Sequence, residues 1–167
     1  LIHFSPSDSQ LHKLHCEFLQ KKLGYDRGWD VINTVSLGIY KPKLIAAVVY
    51  HDWAPENGTI CMSAAADGPW LDKETLYRMH AYPFEIGCQA IVLQVSENND
   101  RMLRIARAYG YEITRVPRLR GREEAEMICV LREESWRGGR FTKAFLKNGN
   151  NIATVTHAGC MAHSSNL

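Results

Sequence analysis

Few residues in this chain have the type and spacing to do chemistry. His12, His15 and Cys16 fall on one stretch of helical periodicity, and His12-x-x-His15 would present two imidazoles on one face. Two nitrogens could begin a metal site, but a metal needs more ligands and none falls at a suitable spacing, so no metal is expected. Arg115, Arg118, Arg120 and Arg122 surround a polar hairpin loop, RLRGREEA. Their guanidinium groups could engage a phosphate, an acidic substrate or a nucleic acid. Beside Glu123 and Glu124, a solvated loop is the commoner outcome for such arginines. Asp52 falls in an expected loop before Trp53, and Ser96 and Glu97 follow a buried strand; loop carboxylates can accept protons but are more often simply solvated. The serines have no convincing His/Asp partners, and no glycine-rich nucleophile elbow is present.

The elements that would position these residues can be outlined from periodicity. Ile2 to Phe4 reads as a short strand, and Ser5 to Ser9 supplies turn and cap residues. Leu11, Leu14, Phe18, Leu19 and Leu23 recur at helical spacing, with Gly24 as a stop. The segment 28–33 fits no single element. Val35 to Tyr40 and Leu44 to Tyr50 read as a strand hairpin across Lys41-Pro42-Lys43. His51 to Gly58 is expected as a loop, Thr59 to Ala65 as a third strand, and Asp67-Gly68-Pro69 as its break. A helix follows from about Asp72, its N-cap, to Tyr82, where Pro83 should distort or end it. Ala90 to Val95 is nearly all apolar, so both its faces should be covered. An amphipathic helix from Asn99 to Tyr109 is stopped by Gly110, and Glu112 to Val116 and Glu126 to Leu131 are the last strands.

The 167 residues are 46% hydrophobic, which suits a compact domain with a sizeable core. Charged residues make up 23% and the formal net charge is +2, so nothing demands a nucleic-acid or membrane partner. No apolar run approaches the roughly 18 residues of a membrane span. The first residues, LIHFSPSDSQ, lack the basic and then apolar order of a secretory signal. Cys16, Cys61, Cys88, Cys129 and Cys160 are widely spaced and contain no CxxC pair, so reduced thiols and a cytoplasmic location are expected. After Glu134 there is no acidic residue, while Arg137, Arg140, Lys143 and Lys147 follow. The expected division is a folded domain over 1–134 and a basic C-terminal extension over 135–167, folded back as a helix at Phe141 to Leu146 or partly disordered.

The stretch from Thr59 to Leu131, and above all CQAIVLQVSENNDRMLRIARAYGYEITRV, resembles the GNAT family of N-acetyltransferases. Asn99 stands eleven residues before Gly110, as an Asn opens and a Gly-aromatic pair closes the family's fourth helix. Tyr111 takes the aromatic position. A tryptophan after the third strand and Tyr82-Pro83-Phe84 at a helix end are similar to GNAT-like proteins of tailed phages. The resemblance implies a GNAT-like α/β fold with a mixed, mostly antiparallel central sheet flanked by helices. It also implies acetyl-CoA as co-substrate, lying where two central strands part. Backbone at Met62, Ser63 and Ala64 would hold the pantetheine, Gly68, Trp70, Leu71 and Lys73 would face the pyrophosphate, and Asn99 or Asn98 would flank the arm. As helix caps, both asparagines need no ligand to explain them.

Two positions depart from the family pattern. Its pyrophosphate loop, Arg/Gln-x-x-Gly-x-Gly/Ala, aligns with Asp67-Gly68-Pro69-Trp70-Leu71-Asp72, where both closing glycines are replaced and an aspartate adds repulsion. The family's helix tyrosine, which protonates the leaving thiolate, is Ala106 here, and Tyr109 is not a clean substitute.

The implied reaction is acetyl transfer to an amine by direct attack in a ternary complex. It needs a backbone donor for the developing oxyanion on the third of these strands and a proton acceptor, for which Glu97 and Asp52 are the candidates; Ser96 could donate a hydrogen bond. The acceptor could be a protein amine, a polyamine or an aminated nucleobase. A catalytically inactive GNAT-fold binding protein that engages a macromolecular partner is the alternative. An exposed strand hairpin could also pair two copies into a homodimer.

Overall fold

The computed structural model describes residues 1–24 and 34–147; 25–33, with its unassigned segment, and 148–167, with Cys160, lie outside the described residues. The elements run β1 (Ile2–Ser5), α1 (Gln10–Leu23), β2 (Val35–Tyr40), β3 (Leu44–Ala54), β4 (Thr59–Ala66), α2 (Lys73–Glu85), β5 (Ala90–Ser96), α3 (Asp100–Tyr109), β6 (Glu112–Val116), β7 (Glu126–Arg132), α4 (Glu133–Gly138) and α5 (Arg140–Lys147). Seven strands form one sheet in the order β1-β2-β3-β4-β5-β7-β6. Pairs β1–β2, β2–β3, β5–β7 and β6–β7 are antiparallel, and β4–β5 is parallel. This is the mixed, mostly antiparallel α/β architecture expected. Among the described residues, no helix is long and apolar enough to cross a membrane.

One expected loop is partly strand. β3 runs on through Ala54, so Asp52 lies within a strand, at φ 50°, rather than in a loop. The chain reverses only at the Pro55–Gly58 turn, where Asn57 N–H reaches the Ala54 carbonyl at 3.1 Å. Pro, Asn and Gly supply that reversal.

The chain divides into two compact units. The first comprises Leu1–Asp52 with Ala64–Trp70; the second comprises Trp53–Ser63 with the described residues from Leu71 onward.

In the first unit, Ser9 caps α1 by accepting from the His12 amide at 3.1 Å, and Gly24 ends it at φ 68°, a conformation glycine adopts without Cβ strain. Of the apolar stripe that spacing picks out, only Leu19 is fully buried in α1. His12, His15, Cys16 and Leu19 are buried, while Leu14 is 51% exposed. Two imidazoles can be buried here because β2 and the residue before it supply hydroxyls. Ser36 Oγ lies 2.8 Å from the Nδ1 of both rings. His12 Nε2 lies 2.9 Å from Thr34 Oγ1, and His15 Nε2 lies 2.8 Å from Tyr40 OH.

A serine hydroxyl has one proton, so Ser36 donates to one Nδ1 and accepts N–H from the other. The network therefore runs in one direction from Tyr40 to Thr34, or in the reverse, with both rings neutral and their polar atoms used. Gly38 makes the room: a Cβ there would stand 2.1 Å from His15 Nε2. Cys16 and Leu19 then pack on Ala47 and Val49, with Phe18 and Ala65 against them.

In the second unit, β5 pairs with β7 from Ala90↔Arg132 to Ser96↔Glu126, and β6 pairs with β7 from Glu112↔Val130 to Val116↔Glu126. Asp72 caps α2 by accepting from the Thr75 amide at 2.8 Å. This helix passes through Pro83 to Glu85, beyond the expected end. A proline inside a helix costs about 3 kcal/mol, but here it lies in the last turn. Tyr82, Pro83 and Phe84 are all buried, and burying each large apolar side chain returns about 1.5–3 kcal/mol.

An aromatic joint holds the helices of this unit. Trp136, 3% exposed, sets its ring 5.5 Å from Tyr77 and 5.0 Å from Phe84, and its Nε1–H donates to Tyr109 OH at 3.3 Å. Phe145 stacks on Tyr77 at 4.4 Å, and Phe141 lies 5.7 Å from Tyr109. His80 donates through Nδ1–H to the Leu76 carbonyl at 2.8 Å, which leaves Nε2 to accept from Tyr111 OH at 2.8 Å.

Candidate functional site

The parallel pair at the middle of the sheet creates the opening. Thr59, Ile60 and Cys61 of β4 pair with Ala90, Ile91 and Val92 of β5. β4 then runs on to Ala66, while β5 runs on to Ser96 in register with β7. The parallel ladder covers the first three residues of each strand, so beyond Cys61 and Val92 the strands part. Buried Met62 and half-buried Ser63 on one side and the end of β5 on the other border the gap. The carboxyl ends of parallel strands are where open α/β sheets take ligands.

The turn that leaves β5 is closely held. Asn99 N–H reaches the Ser96 carbonyl at 3.0 Å, and Asn98 N–H reaches Ser96 Oγ at 3.1 Å. Asn99 is the N-cap of α3, its Oδ1 accepting from the Met102 amide at 3.1 Å, and Gly110 ends the helix at φ 109°. Ser96 Oγ–H donates to the Glu124 carboxylate. Glu97 Oε1 accepts from the Ala125 amide at 2.8 Å, and Oε2 accepts from Arg115, 2.9 Å from Nε and 2.8 Å from Nη2. The Ala125 amide first, and then Arg115, hold the Glu97 carboxyl below its ordinary range. Arg120 pairs with Glu124 and with buried Glu126. Two of the four hairpin arginines thus meet carboxylates of their own chain.

The structure gathers Ser96, Glu97, Asn98 and Asn99 into this one turn of the second unit, which also holds Met62, Ser63, Leu71 and Lys73. Asp52, Ala64, Gly68 and Trp70 belong to the first unit. Asp52 Oδ2 lies 2.7 Å from His51 Nδ1. In the segment before α2, Asp67 pairs with Lys22 and donates its N–H to the Ile45 carbonyl at 2.8 Å. Gly68 has φ 145° with open space where a Cβ would stand, and Trp70 is half-buried. Lys73 is exposed at the start of α2. Tyr109 is buried, its hydroxyl donates to the Leu76 carbonyl at 3.2 Å, and burial pushes it up to about 12.

Among the described residues Cys16, Cys61, Cys88 and Cys129 form no disulfide, and burial raises Cys16, Cys88 and Cys129 to about 11, away from nucleophilic character. Sequence reasoning singled out Arg115 and Glu124 as hairpin charges but did not connect them, or Ala125, with this turn. The only signal was the run of opposite charges in RLRGREEA, which carries no information about what it faces.

No family model and no curated protein matches the sequence. Solved structures do match. A GCN5-related N-acetyltransferase from Brucella melitensis superposes with a TM-score of 0.64 at 13% identity, over 87% of this chain and 81% of that one. A variant of spermidine N-acetyltransferase from Vibrio cholerae gives 0.60 at 12%, over 81% and 96%. A Salmonella typhimurium protein solved with its cofactor acetyl-CoA gives 0.58 at 16%, over 79% and 92%. At these identities the likeness is one of fold, and it agrees with the parted parallel strands: the chain has the fold of the GNAT N-acetyltransferases.

Proposed function

We propose that this protein moves an acetyl group from acetyl-CoA to an amine, by direct attack in a ternary complex. The observation that carries this reading is the parallel β4–β5 ladder that stops after Cys61 and Val92. A pantetheine arm is an extended chain with two amides, and strand backbone at Met62, Ser63 and Ala64 can pair with it as a further strand would. A backbone N–H on the same strand suits a developing oxyanion. Asn98 and Asn99 flank the arm.

The fit of the phosphates is less complete. Gly68, Trp70, Leu71 and Lys73 are the residues assigned to them, with Lys73 supplying positive charge. Asp72, however, already occupies the Thr75 amide and brings a negative charge to the helix N-terminus, where a pyrophosphate would prefer neither.

Attack requires a neutral amine that then loses its proton. As the proton acceptor we propose Asp52, whose side chain is 76% exposed; Asp52→Asn should lower the rate of transfer at saturating acetyl-CoA, and an unchanged rate removes it from this role. Because one structural neighbour is a spermidine N-acetyltransferase, polyamines are the first acceptors to assay.

Calorimetry with acetyl-CoA and dephospho-CoA tests the reading. Micromolar binding that weakens without the 3′-phosphate supports it, and no binding at millimolar cofactor overturns it. Asp72→Ser keeps a good cap and removes the repulsion, so it should tighten acetyl-CoA binding by about 2- to 5-fold. Lys73→Glu should weaken binding by a similar factor.

A further inference from the structure

We infer that Glu97 is a positioning residue that locks the β5–α3 turn onto the β6–β7 hairpin. The inference rests on the acetyl-CoA reading above, because this turn borders the gap assigned to the pantetheine.

Ser96↔Glu126 is the last pair of the β5–β7 register, so the next would be Glu97 opposite Ala125. Half of that pair is ordinary: Glu97 N–H reaches the Ala125 carbonyl at 3.3 Å. In a regular antiparallel pair the Ala125 N–H would return to the Glu97 carbonyl. Here it goes to the Glu97 side chain, with Oε1 accepting at 2.8 Å. The carboxylate stands in for the main-chain carbonyl, so the backbone can turn away at Glu97 while the buried Ala125 amide stays satisfied.

The second carboxylate oxygen reaches further. Arg115 lies on β6 opposite Met127 of β7, and its Nε and Nη2 both approach Glu97 Oε2. One side chain therefore ties three strands together at the point where β5 leaves the sheet. Ser96 adds a parallel tie through Glu124 and passes it to the Asn98 and Asn99 amides. Asn99 in turn sets the start of α3.

A guanidinium held against a carboxylate opposes its protonation, the step a general base must take. Both Glu97 oxygens are committed to donors, one of them charged. The arrangement suits a carboxylate that stays ionised and holds its neighbours in place, and it gives Arg115 the same function from the other side.

Hydrogen exchange and acetyl-CoA calorimetry on the full chain test this, using Glu97→Ala, Glu97→Gln, Arg115→Ala and the Glu97→Ala/Arg115→Ala pair, each first shown by circular dichroism to be folded. Loss of the tie in Glu97→Ala should speed exchange of the Asn98 to Leu103 amides by about tenfold or more. It should weaken acetyl-CoA by roughly 3- to 30-fold. Glu97→Gln keeps an acceptor for Ala125 and should recover part of both effects, and the double variant should be little worse than Glu97→Ala.

Unchanged exchange and affinity in Glu97→Ala and Arg115→Ala would overturn the positioning role while leaving the acetyl-CoA reading intact. If the wild-type chain takes up no acetyl-CoA, the functional reading falls and the positioning role with it. Exchange in the variants then still reports whether the three-strand tie exists. Should Glu97→Ala fail to fold, the Arg115→Ala measurements alone decide.

Discussion

Lowering the pH from neutrality towards 4 is expected to destabilise both units through their buried histidines. His12 and His15 in the first unit and His80 in the second are each no more than 2% exposed. Burial lowers all three, His15 and His80 to about 4, and His15 is lowered further by facing His12 and His3. The Leu76 carbonyl only partly offsets the effect at His80. In the unfolded chain these rings titrate near 6.5, so between about 6.5 and 4 the unfolded state binds more protons than the folded one. Stability is therefore fully present above 6.5 and is lost as the pH falls through this window.

The loss is on the order of 3 kcal/mol for His80 and less for His15, whose network ends at half-exposed Tyr40. That compares with a total stability of about 5–15 kcal/mol for an ordinary domain. Urea unfolding at successive pH values should show a midpoint falling steeply below pH 6.5, while the ring resonances of His15 and His80 do not titrate until near the point of unfolding. Stability that is flat down to pH 5 would contradict this.

The same histidines show why part of the fold could be read from sequence and part could not. Local chemistry was legible. Strands at Val35–Tyr40 and Glu112–Val116 have the expected bounds, and Asp72, Gly24 and Gly110 punctuate helices as their backbone chemistry requires. The buried face of α1 was not. A stripe of His, His, Cys and Leu reads as polar until Ser36 and Tyr40 arrive from another element to satisfy the imidazoles. Pro83 was read as a local breaker, and burial of its neighbours overrides it.

At the site, the gathering of Ser96 to Asn99 follows from their adjacency. What Glu97 does depends on Arg115 and Ala125, which are brought to it by sheet register. One-dimensional spacing could propose a carboxylate near the strand gap, but not that both its oxygens would be occupied.

The C-terminal helices provide the second large effect. Trp136→Ala should cost about 3–5 kcal/mol, because it removes a buried tryptophan and leaves a cavity. The ring bridges Tyr77 and Phe84 of α2, and its N–H bonds Tyr109 of α3. α5 depends on the same surface, since Phe145 stacks on Tyr77 and Phe141 lies beside Tyr109. Trp136→Phe keeps part of the ring contact and loses the hydrogen bond to Tyr109, which should cost about 1 kcal/mol in addition to the lost area. Urea unfolding measures both variants, and trypsin supplies a local readout. Cleavage after Arg137 and Arg140 should accelerate strongly in Trp136→Ala and little in Trp136→Phe, because these arginines flank Gly138 and Gly139, where α4 gives way to α5. If Trp136→Ala unfolds like the wild type, the aromatic joint contributes no net stability and the last two helices are only draped on α2. If it behaves as expected, a chain cut after Glu134 would uncover Tyr77, Phe84 and Tyr109 together, and the residues that follow Glu134 are part of what holds α2 and α3 to each other.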